Sequence, residues 1–306
     1  MSERGERHRD EFAAMLRSWE RHLTAANRSP NTIRSYLEAG RILADWARAD
    51  PERPQSFPGL TRDHLQAFIV DEQKRTSAGS VANRYRSLQQ LYRWLTEVEE
   101  ELPASPFTRM TPPTVPEQTM PVQDDDVLRK LLKVCQGKDY VQLRDTALIR
   151  LMFDTGLRRA ECAGLTVEDV DMQDDVVHIM GKGRKPRSVP FGKKAGLALD
   201  RYLRARAKHR LRDLPDFWLA QKGGLTGRGI ADVLQRRSEQ AGVEKVKPHS
   251  LRHTAVDQWL DAGGTEGDAM RLFGWKSRQM IDRYAASRQD KRAADAKKRH
   301  SPGDRV

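Results

Sequence analysis

Apolar positions in the first hundred residues recur at offsets of three and four, the spacing of one face of an α-helix. Phe12, Met15, Leu16, Trp19 and Leu23 define a first amphipathic segment. Ser29-Pro30-Asn31-Thr32 reads as the start of a second, with Ser29 at the N-cap and Pro30 at the first helical position, where its missing N–H removes no intrahelical bond. Ile33, Tyr36, Leu37, Leu43 and Trp46 form its buried stripe. After a break at residues 50–54, Thr61 caps a third helix carrying Leu65, Phe68 and Ile69. A fourth begins near Ser77 and packs Val81, Tyr85, Leu88, Leu91, Tyr92 and Leu95. Four helices with short connections predict a compact bundle over residues 8–100.

Prolines at 103, 106, 112, 113, 116 and 121 forbid a continuous helix across residues 101–121 and predict an extended linker. A second domain is expected over residues 122–286, followed by a basic tail at 287–306. It opens with a helix capped by Asp124, Asp125 or Asp126 and filled by Val127, Leu128, Leu131, Leu132 and Cys135. An apolar helix over 143–153 ends at Asp154-Thr155-Gly156. Residues 176–180 and 187–191 read as two strands of a hairpin, with His178 a half-buried strand residue rather than a ligand. Further helices are expected at 194–207, around Ile230, Val233 and Leu234, and from a cap at Ser250, with a short strand or packed segment at 216–220. The fold class is mainly α with a small β-sheet (α+β).

Composition narrows the partner. At 306 residues the chain has room for two cores. Its 55 Lys plus Arg against 43 Asp plus Glu, a net charge of +12, favour a polyanion such as nucleic acid, because a summed positive field draws in phosphate backbones. The two cysteines, Cys135 and Cys162, form no CxxC and have no His at metal-ligand spacing, which suggests neither a zinc site nor a disulfide framework, so a reduced, cytoplasmic protein is expected. The charged N-terminus and the lack of any apolar run near 20 residues argue against secretion and membrane insertion.

Four stretches carry candidate chemistry, and each has a plainer reading. Arg158, just after Gly156 at a helix junction, either projects into a pocket or caps a helix by pairing with Glu161. Lys182, at the glycine-flanked tip of the hairpin, either meets DNA and a leaving oxygen or is simply solvated. His249 and Arg252, at three-residue spacing in a first helical turn, either clamp a phosphate at a helix N-terminus or are a chance instance of the common His-x-x-Arg pattern. Tyr284, beside Arg283, is a candidate nucleophile or a packed aromatic. On the bundle, Arg34, Lys74, Arg75, Arg84, Arg86 and Arg93 either line a phosphate groove or coat a solvated face.

In order and spacing, Thr155-Gly156-Leu157-Arg158-x-x-Glu161, Gly181-Lys182-Gly183, His249-x-Leu251-Arg252-His253 and Phe273-Gly274-Trp275 followed nine residues later by Tyr284 resemble the tyrosine recombinase (phage integrase) family. The resemblance extends to the N-terminal bundle, which is similar to that family's SAM-like core-binding domain. It implies two catalytic arginines at Arg158 and Arg252, the hairpin lysine at Lys182, the histidine at His249 and the nucleophile at Tyr284. Many members carry histidine where this chain has Trp275; some carry tryptophan, and there the indole either donates to the phosphate or buttresses the site. Glu161 is expected to orient the arginine region, and Arg159 and His253 to pack or touch backbone.

The implied activity is site-specific cutting and rejoining of DNA through a 3′-phosphotyrosine, with neither metal, cofactor nor ATP. The implied partners are double-stranded DNA with paired inverted core sites and three further copies of the chain in a tetramer, docked through a C-terminal tail that is otherwise a loose basic extension. A simple phage or mobile-element integrase is favoured by Phe273-Gly274-Trp275; a Xer-like chromosome dimer resolvase, a type IB topoisomerase-like enzyme and a catalytically silent DNA-binding protein of the same fold are the alternatives.

Overall fold

The computed structural model describes residues 3–116, 122–181, 186–275 and, in the tail, positions 294, 297 and 298. The chain divides into two compact units, residues 1–117 and 118–306.

In the first unit, α1 (Glu3–Ala25), α2 (Pro30–Arg48), α3 (Arg62–Arg75) and α4 (Ala78–Glu97) form the bundle. Local chemistry fixes where they start. The side chains of Ser29 and Ser77 accept from the backbone N–H of Thr32 and Ser80, satisfying donors that a first helical turn leaves open. Thr61 caps α3 in a reciprocal box with His64, whose Nδ1 accepts the Thr61 N–H at 3.2 Å. Phe12, Trp19, Leu43, Phe68 and Leu88 are all buried, so the three-and-four spacing does mark the core.

Residues 106–110 depart from an extended linker. Pro106–Arg109 form a 3₁₀ turn, and Phe107 is buried edge-on against Tyr85, with ring centroids 5.0 Å apart. The Tyr85 hydroxyl donates to the Met110 carbonyl at 2.8 Å. Proline stops a regular helix there, but burial of Phe107 folds the segment back onto α4. Several arginines of the bundle are also held by carboxylates: Arg75 and Arg84 both pair with Glu72, itself buried.

The second unit comprises α5 (Asp125–Val134), α6 (Tyr140–Thr155), α7 (Arg159–Ala163), β1 (Val170–Asp171), β2 (Val176–Met180), β3 (Pro186–Pro190), α8 (Lys193–Arg206), α9 (Gly227–Ala241), α10 (Pro248–Asp261) and α11 (Glu266–Phe273). The strands form one antiparallel sheet in the order β1-β2-β3. Helix α6 packs against α8 and α10. Cys135 and Cys162 are both buried, as core filling.

Two sequence expectations, for His178 and Ser250, shift in detail, and for residues 216–220 the packed segment holds over the strand. His178 lies on the outward face of β2, exposed, with Nδ1 3.0 Å from the Ser188 hydroxyl, because Val177 and Ile179 take the inward positions. Residues 216–220 add no full strand; isolated bridges join Thr166 to Asp216 and Leu219 to Gly224 while Phe217 and Trp218 sink into the core. Helix α10 begins at Pro248 with Lys247 at the N-cap, so Ser250 is its third residue, and its hydroxyl accepts from the Lys247 N–H at 3.1 Å as one half of a capping box.

Helices α6 and α9 are tied by a buried ion cluster. Asp145 has no exposed surface. Arg144 donates to its Oδ1 through Nε and Nη2 at 3.0 and 2.7 Å. Arg237 Nε and Arg236 Nη2 donate to Oδ2 at 2.9 and 3.0 Å. Removing the anion strands at least two buried guanidinium groups, and broken buried pairs of this kind cost about 3–5 kcal/mol. Asp145→Ala is expected to lower unfolding free energy by that amount in urea titration, with little change in the slope of the transition.

Candidate active site

The site is assembled at two helix ends and one strand. Helix α6 stops at Gly156, whose left-handed φ of 59° turns the chain. A Cβ at that position would lie 2.6 Å from Phe273 Cε1, so only glycine allows this approach of backbone to α11. Two residues later Arg158 caps α7, and Glu161 accepts its backbone N–H at 2.8 Å and its Nη1 at 2.9 Å. The capping reading of Arg158 holds, paired with Glu161, and its side chain is 42% exposed.

Arg252, in the second turn of α10, is buried. Its Nη1 donates to the Gly156 carbonyl at 2.6 Å and its Nη2 to the Phe273 carbonyl. The guanidinium carbon lies 5.7 and 5.3 Å from the ring centroids of Phe273 and Trp275, a cation–π arrangement on two rings. Trp275 is 6% exposed and follows Gly274, which ends α11 in the left-handed conformation at φ 65°. The indole thus buttresses Arg252.

Arg187 on β3 is the residue that sequence reasoning missed. It meets Glu161 end-on, Nη1 to Oε1 at 3.0 Å and Nη2 to Oε2 at 2.8 Å, and donates Nε to the Leu272 carbonyl at 3.1 Å. Its signal was in the strand alternation: Arg187 shares the inward face with buried Val189 and pairs with buried Ile179, an unusual place for an arginine without a partner. Three consecutive carbonyls at the end of α11 consequently accept from three arginines, since Arg158 Nη2 donates to the Gly274 oxygen at 2.9 Å.

Glu161 feels opposed influences. Burial favours its neutral form, but the bonds from Arg187, from the Arg158 N–H and from the Arg158 guanidinium outweigh that and hold its carboxyl down at about 2. It is an anion at neutral pH.

His249 is exposed and His253, one turn on, is buried. Their Nε2 atoms are 3.2 Å apart with ring planes 84° from parallel. Burial, then the charges of His249 and Arg252, push His253 down to about 3. Partial desolvation, Arg252 and Arg158 lower His249 as well. A neutral His249 is able to accept a proton, and His253 does more than pack, because it is hydrogen-bonded to that ring. Arg159 is exposed.

The structure thus brings Arg158, Glu161, His249, Arg252 and Trp275 together in the second unit. Lys182 and Tyr284 lie outside the described residues. Among the described residues no group of three or more His, Cys, Asp or Glu is arranged to hold a metal ion, and no helix is long and apolar enough to cross a membrane.

Arginines and a neutral histidine converging at helix ends define a site suited to gripping a phosphodiester. The chain belongs to the phage integrase family: the family's model matches residues 122–291, and that of the phage integrase N-terminal SAM-like domain matches residues 15–101. It is a site-specific tyrosine recombinase, an enzyme that breaks and rejoins DNA. The tyrosine recombinase XerC of Oceanobacillus iheyensis is 31% identical over 82% of this chain and 84% of its own length. The XerD of Corynebacterium glutamicum is 29% identical over 86% of this chain and 90% of its own. Among solved structures, the Tn1549 transposon integrase in complex with transposon right end DNA shares the fold at a TM-score of 0.76 and 18% identity, covering 95% of this chain and 99% of that one. The XerH recombinase bound to palindromic difH substrate aligns at 0.71 and 19% identity over 89% of this chain and 81% of its own.

The His253 environment sets a pH dependence. Its folded value, about 3, lies below the ordinary 6.5 of an unfolded histidine, so between these values the unfolded chain holds a proton that the fold excludes. Stability from this residue is full above pH 6.5 and falls as pH drops below it, by at most about 1.4 kcal/mol per unit. Urea unfolding at pH 7.5 and 5 is expected to show a smaller difference for His253→Phe than for the wild type.

Proposed function

We propose that the chain recombines two DNA duplexes by transient covalent attachment, with Arg158, Lys182, His249, Arg252, Trp275 and Tyr284 as the working residues. Arg158, Arg252 and His249 grip the non-bridging oxygens of the scissile phosphate and stabilise the charge that builds in the pentacoordinate transition state. The Tyr284 phenol, which ordinarily titrates near pH 10, attacks phosphorus as its proton passes to His249. The Tyr284 oxygen–phosphorus bond forms, the bond from phosphorus to the 5′ oxygen breaks, and Lys182 gives that oxygen a proton. The 3′-phosphotyrosine keeps the bond energy, so a 5′-hydroxyl from a second duplex reverses the step without ATP. Neither metal nor cofactor enters the scheme.

The single observation that supports this reading most is the convergence of Arg158, Arg252 and neutral His249 around the Gly156 turn and the end of α11. Residues 8–100 serve as the core-binding domain, 101–121 as the connection, 122–286 as the catalytic domain and 287–306 as a docking tail. The assembly is a tetramer on paired inverted core sites, acting in the cytoplasm. A lambda integrase dimer bound to a core site and XerH bound to palindromic difH are fold relatives that favour more than one copy acting on inverted core-site DNA. The biological role falls between a mobile-element integrase and a Xer-like dimer resolvase. Relatives named XerC and XerD near 30% identity favour the latter, while Phe273-Gly274-Trp275 favours the former.

The test starts from DNA that the protein protects near its own gene. Incubated with a nicked suicide substrate of that sequence, the wild type is expected to form a covalent protein–DNA adduct and Tyr284→Phe none. An adduct that survives the substitution, or a wild type that forms none on DNA it binds, contradicts the proposal. Affinity should also fall steeply between low and moderate salt, since phosphate contacts release counterions.

A further inference from the structure

Two guanidinium groups share one carboxylate in the site, and the sharing is unequal. Glu161 receives two side-chain bonds from Arg187 and one from Arg158. The Arg187 contact is bidentate and its side chain is 13% exposed, against 42% for Arg158. A bidentate, sheltered pair is the stronger of the two. Counted as charge, Glu161 and Arg187 cancel, and Arg158 keeps its own. Without Arg187 the same carboxylate would face Arg158 alone, with the Arg158 N–H already fixing it at the start of α7. It would then neutralise the cation that has to meet the phosphate.

We propose that Arg187 is a positioning residue that works through Glu161: by occupying that carboxylate it leaves the charge of Arg158 available to the scissile phosphate. Arg187 does not touch DNA in this scheme. Its third bond, to the Leu272 carbonyl, sets it at the same helix end that Arg158 and Arg252 hold, so it orients Glu161 and α11 together. The proposal rests on the recombination chemistry given above, but its first consequence is visible in the free protein.

His249 reports the charge of Arg158. The groups facing it are Arg158 at the start of α7 and Arg252 and His253 on its own helix, and both arginines lower its titration. Nuclear magnetic resonance of ¹⁵N-histidine-labelled full-length protein, with His249 assigned by His249→Gln, reads this directly. Arg187→Met is expected to raise the His249 midpoint by about half a unit or more, as Glu161 neutralises Arg158. Glu161→Gln should lower it, and the double variant Arg187→Met/Glu161→Gln should return it to the wild-type value or below. Urea unfolding of all three variants, run alongside, separates this pattern from a loosened fold, which would move the His249 midpoint only with a loss of stability. An unchanged midpoint in Arg187→Met, or a raised one that Glu161→Gln leaves in place, overturns the proposal.

The second arm uses cleavage of the footprinted DNA site. Arg187→Met should be slowed about ten-fold or more, with Arg187→Lys in between. The loss should shrink on a substrate whose scissile phosphate is a neutral methylphosphonate, because that group needs less positive charge. An equal loss on both substrates would mark Arg187 as merely structural. Midpoint shifts as expected with no Tyr284 adduct from any variant would sink the recombination scheme while leaving the charge-sharing intact.

Discussion

The C-terminal end of α11 is the constraint on which the catalytic unit turns. A helix leaves its last carbonyls without intrahelical partners, and its dipole makes that end negative. Here the oxygens of Leu272, Phe273 and Gly274 each receive a different arginine: Arg187 from the sheet, Arg252 from α10 and Arg158 from the α6–α7 turn. Three elements that are distant in sequence are registered against one helix end. Two of these three, Arg158 and Arg252, are the groups proposed to grip the phosphate, so the proposed site and its scaffold share parts.

That sharing explains why so much of the local backbone is unusual. Gly156 and Gly274 both adopt left-handed φ, and a side chain at either would meet Phe273 or Arg187. Both glycines sit where an arginine must reach a carbonyl. Trp275 belongs to the same arrangement: as a large ring under Arg252 it shields a buried cation, a role that histidine at this position would fill differently.

Much of this was legible before any coordinates. Periodicity and caps gave the bundle, because Ser29, Thr61 and Ser77 act on their own first turns and need no distant partner. The motif spacing singled out Arg158, His249, Arg252 and Trp275, which the fold brings together. What escaped is what depends on distant pairing. Arg187 looks like one more basic strand residue until Glu161, 26 positions away, is set against it, and the Asp145 cluster joins residues up to 92 apart. Phe107 was hidden by its prolines, whose local rule is sound but whose outcome is decided by burial against Tyr85. His253 read as packing, since its bond to His249 appears only once both are on one helix face.

Hydrogen exchange on the DNA-free protein tests the shared helix end most directly, because opening of a segment is read amide by amide. Replacing the buried Arg252 by Met removes its bonds to Gly156 and Phe273 while keeping much of its volume. Residues 156–161 and 266–275 are predicted to lose protection together, with the core of α6 unaffected. Loss confined to α10 around position 252, with both of those segments as protected as in the wild type, would contradict the idea that the arginines hold the end of α11.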